Sequence, residues 1–127
     1  MTGVDRESVM RWVADYERVW RDGDLAGIPR LFTEDARYRP GPYEEPKVGH
    51  AEIQAFWPED EGTTFTVAAE PVAVEGHDAV VRLQVRYLTP RAQEYRDLWV
   101  LRFAPDGRVA EFEEWPYWPG KPHTASS

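Results

Sequence analysis

The spacing of apolar residues changes halfway along this chain of 127 residues, and this change limits the fold more than any other feature. In the first half, apolar side chains recur every three or four residues, as on one helical face. In the second half they alternate with polar side chains, as in a strand with one buried face. Helices followed by strands are typical of the α+β class, with the helices on one face of a curved, mainly antiparallel sheet. We expect one domain over residues 1–120 and a flexible tail over 121–127.

Three helices are predicted in the first half. The first begins after Asp5, a favourable N-cap, and ends at Gly23, which tolerates the left-handed backbone. Its apolar face consists of Val9, Trp12, Val13, Tyr16, Val19 and Trp20. The second begins after Asp24 and should be bent or short because of Pro29. Its buried side consists of Leu25, Ile28, Leu31 and Phe32.

A third helix is predicted to begin at Gly49 and to stop at Pro58, with Ile53, Phe56 and Trp57 as its apolar side. The Pro-rich segment 40–46 predicts a surface loop. Short strands are expected from the alternation and the turn signals. They cover 36–39, 64–75, 79–89, 94–104 and 108–116.

The composition excludes several classes of function. There is no cysteine, so disulfides, thiolate metal sites and cysteine nucleophiles are ruled out. The formal charge of −8 repels phosphate backbones and anionic lipid, which argues against nucleic-acid and membrane partners. The first residues carry no signal-peptide core and no stretch is long enough to span a membrane, so we expect a cytoplasmic protein.

Two segments carry a resemblance to a known superfamily. The strings GDLAGIPRLFTEDARY at 23–38 and GHAEIQAFW at 49–57, with this order of elements, resemble the SnoaL-like and ketosteroid-isomerase-like families of the nuclear-transport-factor-2 superfamily. The resemblance implies a cone-shaped fold with a pocket between the helices and the concave sheet, and commonly a homodimer through the other sheet face. It says little about activity, since this fold hosts isomerases, cyclases, hydrolases and non-enzymatic binders.

The ketosteroid-isomerase pattern is only partly present. Tyr16 lies eight residues before Asp24 of the Gly-Asp turn, where that family has a hydrogen-bonding tyrosine. The position of the family's general base is Pro40, which accepts no proton, and the position of its second oxyanion-binding acid is Trp99. This comparison argues against ketosteroid isomerisation.

Three residues are candidates for acid–base chemistry. Tyr16 is either a core residue with a satisfied hydroxyl or a donor to a ligand oxygen. Asp97 should face the same side as Trp99 because of the two-residue strand period, in surroundings that raise a carboxyl pKa. The structural alternative is an Asp97 that is solvated or paired with Arg86 or Arg96.

Glu114 is the third candidate because the even positions of the last strand should face the cone, and SnoaL-like cyclases carry an acidic residue near this place. A salt bridge to an arginine is its structural alternative.

The remaining candidates are aromatic. A wall for a flat apolar ligand is predicted from five residues, each of which is also explained by core packing: Tyr38, Trp57, Trp99, Phe112 and Trp118. The histidines at 50, 77 and 123 lack ligand spacing, and no phosphate-binding loop is present, so we expect neither a metal nor a cofactor.

These observations leave two hypotheses. The first is an isomerase, cyclase or hydrolase in which Tyr16 donates to a substrate oxygen while Asp97 or Glu114 moves a proton. The second is a non-catalytic binding or interaction domain of the same fold. A cavity of roughly 300 Å³ or more beside Tyr16 would favour the first. Semi-apolar residues on the outer sheet face predict a homodimer in either case.

Overall fold

A computed structural model describes residues 3–57, 64–89 and 91–120. Two helices, with one 3₁₀ turn between them, precede a sheet of six strands. A short third helix lies between the second and third strands. In chain order these elements are α1 Arg6–Asp22, a 3₁₀ turn Leu25–Gly27, α2 Ile28–Leu31, β1 Phe32–Arg39, β2 Lys47–Val48, α3 Gly49–Phe56, β3 Thr64–Glu75, β4 Asp78–Thr89, β5 Gln93–Phe103 and β6 Val109–Tyr117.

Helix α1 is closed at both ends by the predicted residues. The Asp5 carboxylate accepts a hydrogen bond from the Ser8 backbone N–H at 2.8 Å, and the Ser8 hydroxyl oxygen accepts one from the Asp5 N–H at 3.1 Å. Gly23 ends the helix in the left-handed region, at φ 63°. Capping satisfies backbone groups that a helix end otherwise leaves exposed. The start and end predicted for this helix are therefore confirmed.

The second helix is short, as Pro29 predicts, but two details of the prediction are wrong. The Asp24 side chain makes no capping hydrogen bond. Its backbone carbonyl accepts one from the Gly27 N–H instead, which closes the 3₁₀ turn. Strand β1 also begins at Phe32 rather than at Ala36, because Phe32 pairs with Val109 of the last strand. Phe32 is fully buried, but in the sheet and not in the helix.

The sheet has the strand order β2-β1-β6-β5-β4-β3, in which only the β1–β6 pair is parallel. It is therefore mainly antiparallel, and with the helices it forms the predicted α+β arrangement. Four of the predicted strands match β3 to β6 to within one residue at each end. The two-residue strand β2 has no signal in the sequence. The tail and Pro58 lie outside the described residues.

The two sheet faces differ in burial. Along β5, Asp97, Trp99, Leu101 and Phe103 are buried, and the residues between them are exposed. The buried positions form the concave face, which packs against α1 and the short helices. No helix in the described part of the chain is long and apolar enough to cross a membrane.

Candidate functional site

The space between the helices and the concave sheet face contains a cavity with two chambers. The inner chamber has a volume of about 360 Å³ and the outer one about 590 Å³. Four residues line both chambers, so the chambers adjoin at a shared boundary, here called the neck: Trp20, Tyr87, Asp97 and Glu114. The inner chamber is completed by Tyr16, Tyr38, Phe56, Trp57 and Trp99.

Strand register brings the two acids of the neck together. Glu114 of β6 pairs with Trp99 of β5, and Asp97 pairs with Pro116. Asp97 and Glu114 are therefore diagonal neighbours on one face, a separation of about 7–8 Å between backbone positions. Asp97 is only 7% exposed, and Glu114 is half-buried. The sequence period placed both acids on the concave side, and that is where they lie.

The arginines that the sequence offered as partners for Asp97 bind elsewhere. The exposed guanidinium groups of Arg86 and Arg96 both contact the Glu94 carboxylate, at 3.4 Å and 3.3 Å. Glu113, the residue before Glu114, also has an arginine partner, since its carboxylate lies 3.7 Å from the Arg39 guanidinium. Both acids of the neck belong to the lining of the two chambers.

Two tyrosine hydroxyls meet at the wall of the inner chamber. The Tyr16 and Tyr38 oxygens are 3.2 Å apart and form one hydrogen bond. Each ring lies almost parallel to the ring of Phe112, at interplanar angles of 1° and 4°. Because one hydroxyl of the pair donates to the other, the second proton of the pair is left to donate to a third group.

Burial raises the pKa of both tyrosines, that of Tyr16 well above its usual value. The hydroxyl of Tyr38 and the negative charge of Glu114 add to the rise for Tyr16. For Tyr38 the charge of Glu114 is the second cause of the raised pKa, the hydrogen bond with Tyr16 lowers the pKa, and the charge of Asp97 adds a smaller rise. Both side chains therefore remain neutral phenols, and so hydrogen-bond donors, at every physiological pH.

The predicted aromatic wall is divided among three places. Tyr38, Trp57 and Trp99 line the inner chamber, and Trp118, 40% exposed, lines the outer one. Phe112 is 1% exposed and lies behind the two tyrosines, where it lines neither chamber. Phe112 therefore supports the two tyrosine rings from behind, and its contact with a ligand stays a prediction.

Two indole groups of the inner chamber have unusual surroundings. The Nε1 atoms of Trp57 and Trp99 are buried and have no hydrogen-bond acceptor among the described residues. Trp12, which is equally buried, instead donates its N–H to the Leu31 carbonyl at 3.0 Å. A buried donor without an acceptor is uncommon in folded proteins.

Sequence reasoning missed Trp20, Tyr87 and Arg91 as cavity residues. Trp20 was assigned to the core because it ends the apolar stripe of α1. Tyr87 had a usable signal, since it continues the inward alternation of β4 after Val85. Arg91 lies in the turn between β4 and β5, where no periodicity indicates the direction of a side chain.

The described histidines have no arrangement for metal binding. His50 lies 2.8 Å from the Phe32 carbonyl, and His77 lies in the β3–β4 turn. Within residues 3–57, 64–89 and 91–120, no group of three or more potential ligands is placed to hold a metal ion. His123 falls outside the described residues.

Comparison with solved structures shows the same fold at low sequence identity. The epoxide hydrolase/cyclase-like enzyme SalBIII shares 20% identity with a TM-score of 0.70, over 89% of this chain and 93% of that one. A putative ketosteroid isomerase from Kribbella flavida shares 19%, with a TM-score of 0.66 over 97% and 87%. An NTF2-like protein from Burkholderia xenovorans shares 19%, with a TM-score of 0.63 over 91% and 93%. At these identities the likeness establishes the fold alone.

No curated protein matches the sequence significantly. The family model of the SnoaL-like domain, however, matches residues 13–112. This segment contains Tyr16 and the second half of its helix, the strand with Asp97 and the GDLAGIPRLFTEDARY string. The match covers most of the domain, and it agrees with the fold of the solved structures. The chain therefore belongs to the SnoaL-like domain family.

Proposed function

We propose that this protein is an enzyme that moves a proton next to a carbonyl or similar oxygen of a small, largely apolar substrate. The observation that carries the proposal is the presence, around one buried chamber, of a neutral tyrosine pair and two carboxylates. The phenol pair donates a hydrogen bond to the substrate oxygen, where negative charge develops in the transition state. Asp97 or Glu114 takes the proton from the adjacent carbon and returns it to another position.

The surroundings of these groups support this division of roles. The described lining of the inner chamber includes no lysine, arginine or histidine, so proton transfer there falls to the carboxylates. The raised pKa of Tyr16 and Tyr38 keeps both phenols protonated, which suits donors and not bases. The aromatic lining provides apolar contacts for the rest of the substrate. Isomerisation, cyclisation and hydrolysis all use a hydrogen-bond donor to an oxygen and a carboxylate that transfers a proton.

The first experiment follows hydrogen–deuterium exchange at the methyl group of 2-acetylnaphthalene in D₂O by NMR. This ketone is neutral and flat, and its methyl protons are lost only through the enolate. We expect the protein to accelerate exchange above the buffer rate. Tyr16→Phe, Asp97→Asn and Glu114→Gln should be tested separately, and loss of the phenol or of the carboxylate acting as base should slow exchange by at least about tenfold. Glu111→Gln, which changes an exposed acid on the opposite face of β6, should leave the rate unchanged.

Thermal melts of the same acid variants at pH 7 provide a second test. Asp97→Asn and Glu114→Gln keep the side-chain shape and remove one of two neighbouring charges in a poorly solvated neck. For functional acids, at least one substitution should raise the melting temperature while it weakens exchange. If both variants melt below the parent, the acids are structural and the proposal is wrong. If the ketone binds but exchanges at the buffer rate, the chain is a non-catalytic binding member of the family.

We propose further that the convex sheet face binds a second copy of the chain. Leu98, Val100 and Trp115 are 36%, 39% and 37% exposed, and Leu98 is the register partner of Trp115. They form a continuous apolar strip in the middle of the face. Arginines of β4 and β5 border the strip on one side and the acids of β6 on the other. This arrangement is self-complementary under a two-fold axis.

A further inference from the structure

The outer chamber has aromatic side chains from four separate elements. Trp20 belongs to α1, Tyr87 to β4 and Tyr95 to β5, and Trp118 is the residue directly after β6. The Tyr87 and Tyr95 rings meet nearly at right angles, with centroids 5.9 Å apart, and the Tyr95 and Trp118 rings do the same at 5.7 Å. In each pair the edge of one ring meets the face of the other, so the three rings stand at steep angles to one another along the chamber lining. The negative face of an aromatic ring attracts a cation placed over it.

The charges around the outer chamber also favour a cationic ligand. Asp97 and Glu114 lie at the neck between the chambers, and both add negative charge that raises the pKa of the tyrosines behind them. The whole chain carries a formal charge of −8, which attracts cations over longer distances. Among the described residues of the outer lining, Arg91 is the basic one, and it is exposed, so solvent and salt screen its charge.

We propose that the outer chamber binds an alkylammonium group, so that the substrate class is a small amine or quaternary ammonium compound with an apolar body. The cation lies against the aromatic faces at the mouth, and the apolar body passes the neck into the inner chamber. A volume of about 590 Å³ accommodates a trimethylammonium group with its linker. This inference rests on the proposed function, because it takes the inner chamber to be the reacting site.

The test uses three probes with one branched shape and three charges: choline, 3,3-dimethylbutan-1-ol and 3,3-dimethylbutanoate. Binding to the full chain is measured by NMR titration at pH 8 and low salt. We expect choline to bind most tightly, with the neutral alcohol weaker by at least about fivefold. Equal or tighter binding of the alcohol would overturn the inference. Tighter binding of the carboxylate would also overturn it and would make Arg91 an anion-binding residue.

Variants then identify where the cation binds. Tyr95→Leu should weaken choline about fivefold and leave the alcohol nearly unchanged, because only the cation uses the ring face. Arg91→Gln should strengthen choline binding, since a like charge is removed. Tyr43→Leu, which removes a fully exposed ring from the Pro-rich loop, is the matched control and should change neither. If Tyr95→Leu weakens both probes equally, the wall is merely apolar and the inference is wrong.

Failure of this inference is distinguishable from failure of the proposed function. A protein that exchanges the protons of 2-acetylnaphthalene but does not prefer choline retains the acid–base function and loses only the ammonium subsite. A protein that prefers choline, binds the ketone and still exchanges its protons only at the buffer rate binds ammonium ligands without catalysis, which refutes the proposed function and, with it, the claim that the cation belongs to a substrate.

Discussion

At the scale of single residues, the hydroxyl groups of Tyr16 and Tyr38 link stability to pH in the alkaline range. Their pKa values are raised by burial, so the unfolded chain releases these protons first as the pH increases. The stability that they contribute is therefore complete below about pH 10 and is lost as the pH rises above that value. Near neutrality neither group titrates, and both remain donors.

The corresponding prediction concerns unfolding at high pH. Above about pH 10, the free energy of unfolding should fall by about 1.4 kcal/mol per pH unit for each buried tyrosine. Tyr16→Phe or Tyr38→Phe should make this decline shallower, because one titrating group is removed. Urea titrations between pH 8 and pH 11 measure the slope. Tyr43→Phe changes an exposed tyrosine and should keep the parent slope; identical slopes in all variants would contradict the prediction.

A second prediction compares two buried tryptophans. Trp12→Phe removes the donor to the Leu31 carbonyl, which leaves a buried acceptor without its partner. Trp99→Phe removes an N–H that has no acceptor among the described residues. Both changes lose similar apolar area, so Trp12→Phe should be more destabilising by about 1–3 kcal/mol. Chemical denaturation of the two variants decides the question, and an equal loss would show that the Trp99 N–H is satisfied.

At the scale of elements, the contact between α1 and the 3₁₀ turn depends on a missing side chain. A Cβ atom at Gly27 would lie 2.6 Å from Cγ2 of Val19, which is 1% exposed and cannot move away. The backbone of Gly27 is in the ordinary right-handed region, at φ −78°, so the restriction comes from packing alone. This close approach is what brings the short helices onto α1 beside the inner chamber.

Gly27→Ala should therefore destabilise the protein by about 1–3 kcal/mol. Combined with Val19→Ala, it should cost less than the sum of the two single changes, because the smaller side chain makes room for the new methyl group. Gly23→Ala is the contrasting variant. No atom lies within 4 Å of its added Cβ, and its cost arises from the left-handed backbone, so Val19→Ala should not reduce that cost. Melts of the singles and doubles give these values.

At the scale of the whole molecule, the proposed dimer uses the convex sheet face. We predict a dimer at micromolar concentration, since Leu98, Val100 and Trp115 form an exposed apolar strip that a second copy would cover. Leu98→Lys should give a folded monomer in sedimentation experiments, because two copies would bury like charges near the axis. Val72→Lys, at an exposed position of the edge strand β3, should remain dimeric. A parent chain that sediments as a monomer would contradict the proposal.

The sequence by itself determined the fold and the side of the sheet on which the acids lie. Periods of about four and of two residues are local properties, and they were sufficient to place α1, four long strands and the inward direction of Asp97 and Glu114. Capping residues such as Asp5 and Gly23 were also readable, because their partners are three or four positions away. Asp24 shows the limit of such signals. Its side chain was expected to cap the second helix, but its backbone carbonyl closes the turn by accepting a hydrogen bond from the Gly27 N–H.

Only the tertiary structure decided which of these residues meet. The Tyr16–Tyr38 hydrogen bond joins a helix to the first strand, across 22 positions of sequence. The parallel pairing of β1 with β6 carries Tyr38 to Phe112, and no local pattern encodes that pairing. The same kind of long-range pairing places Phe112 behind the tyrosines and not in the cavity lining. It also brings Trp20, Tyr87 and Arg91 into the lining of the outer chamber. The face of a helix or sheet on which a residue lies follows from short-range periodicity. A cavity depends instead on contacts between distant elements, which this periodicity does not specify.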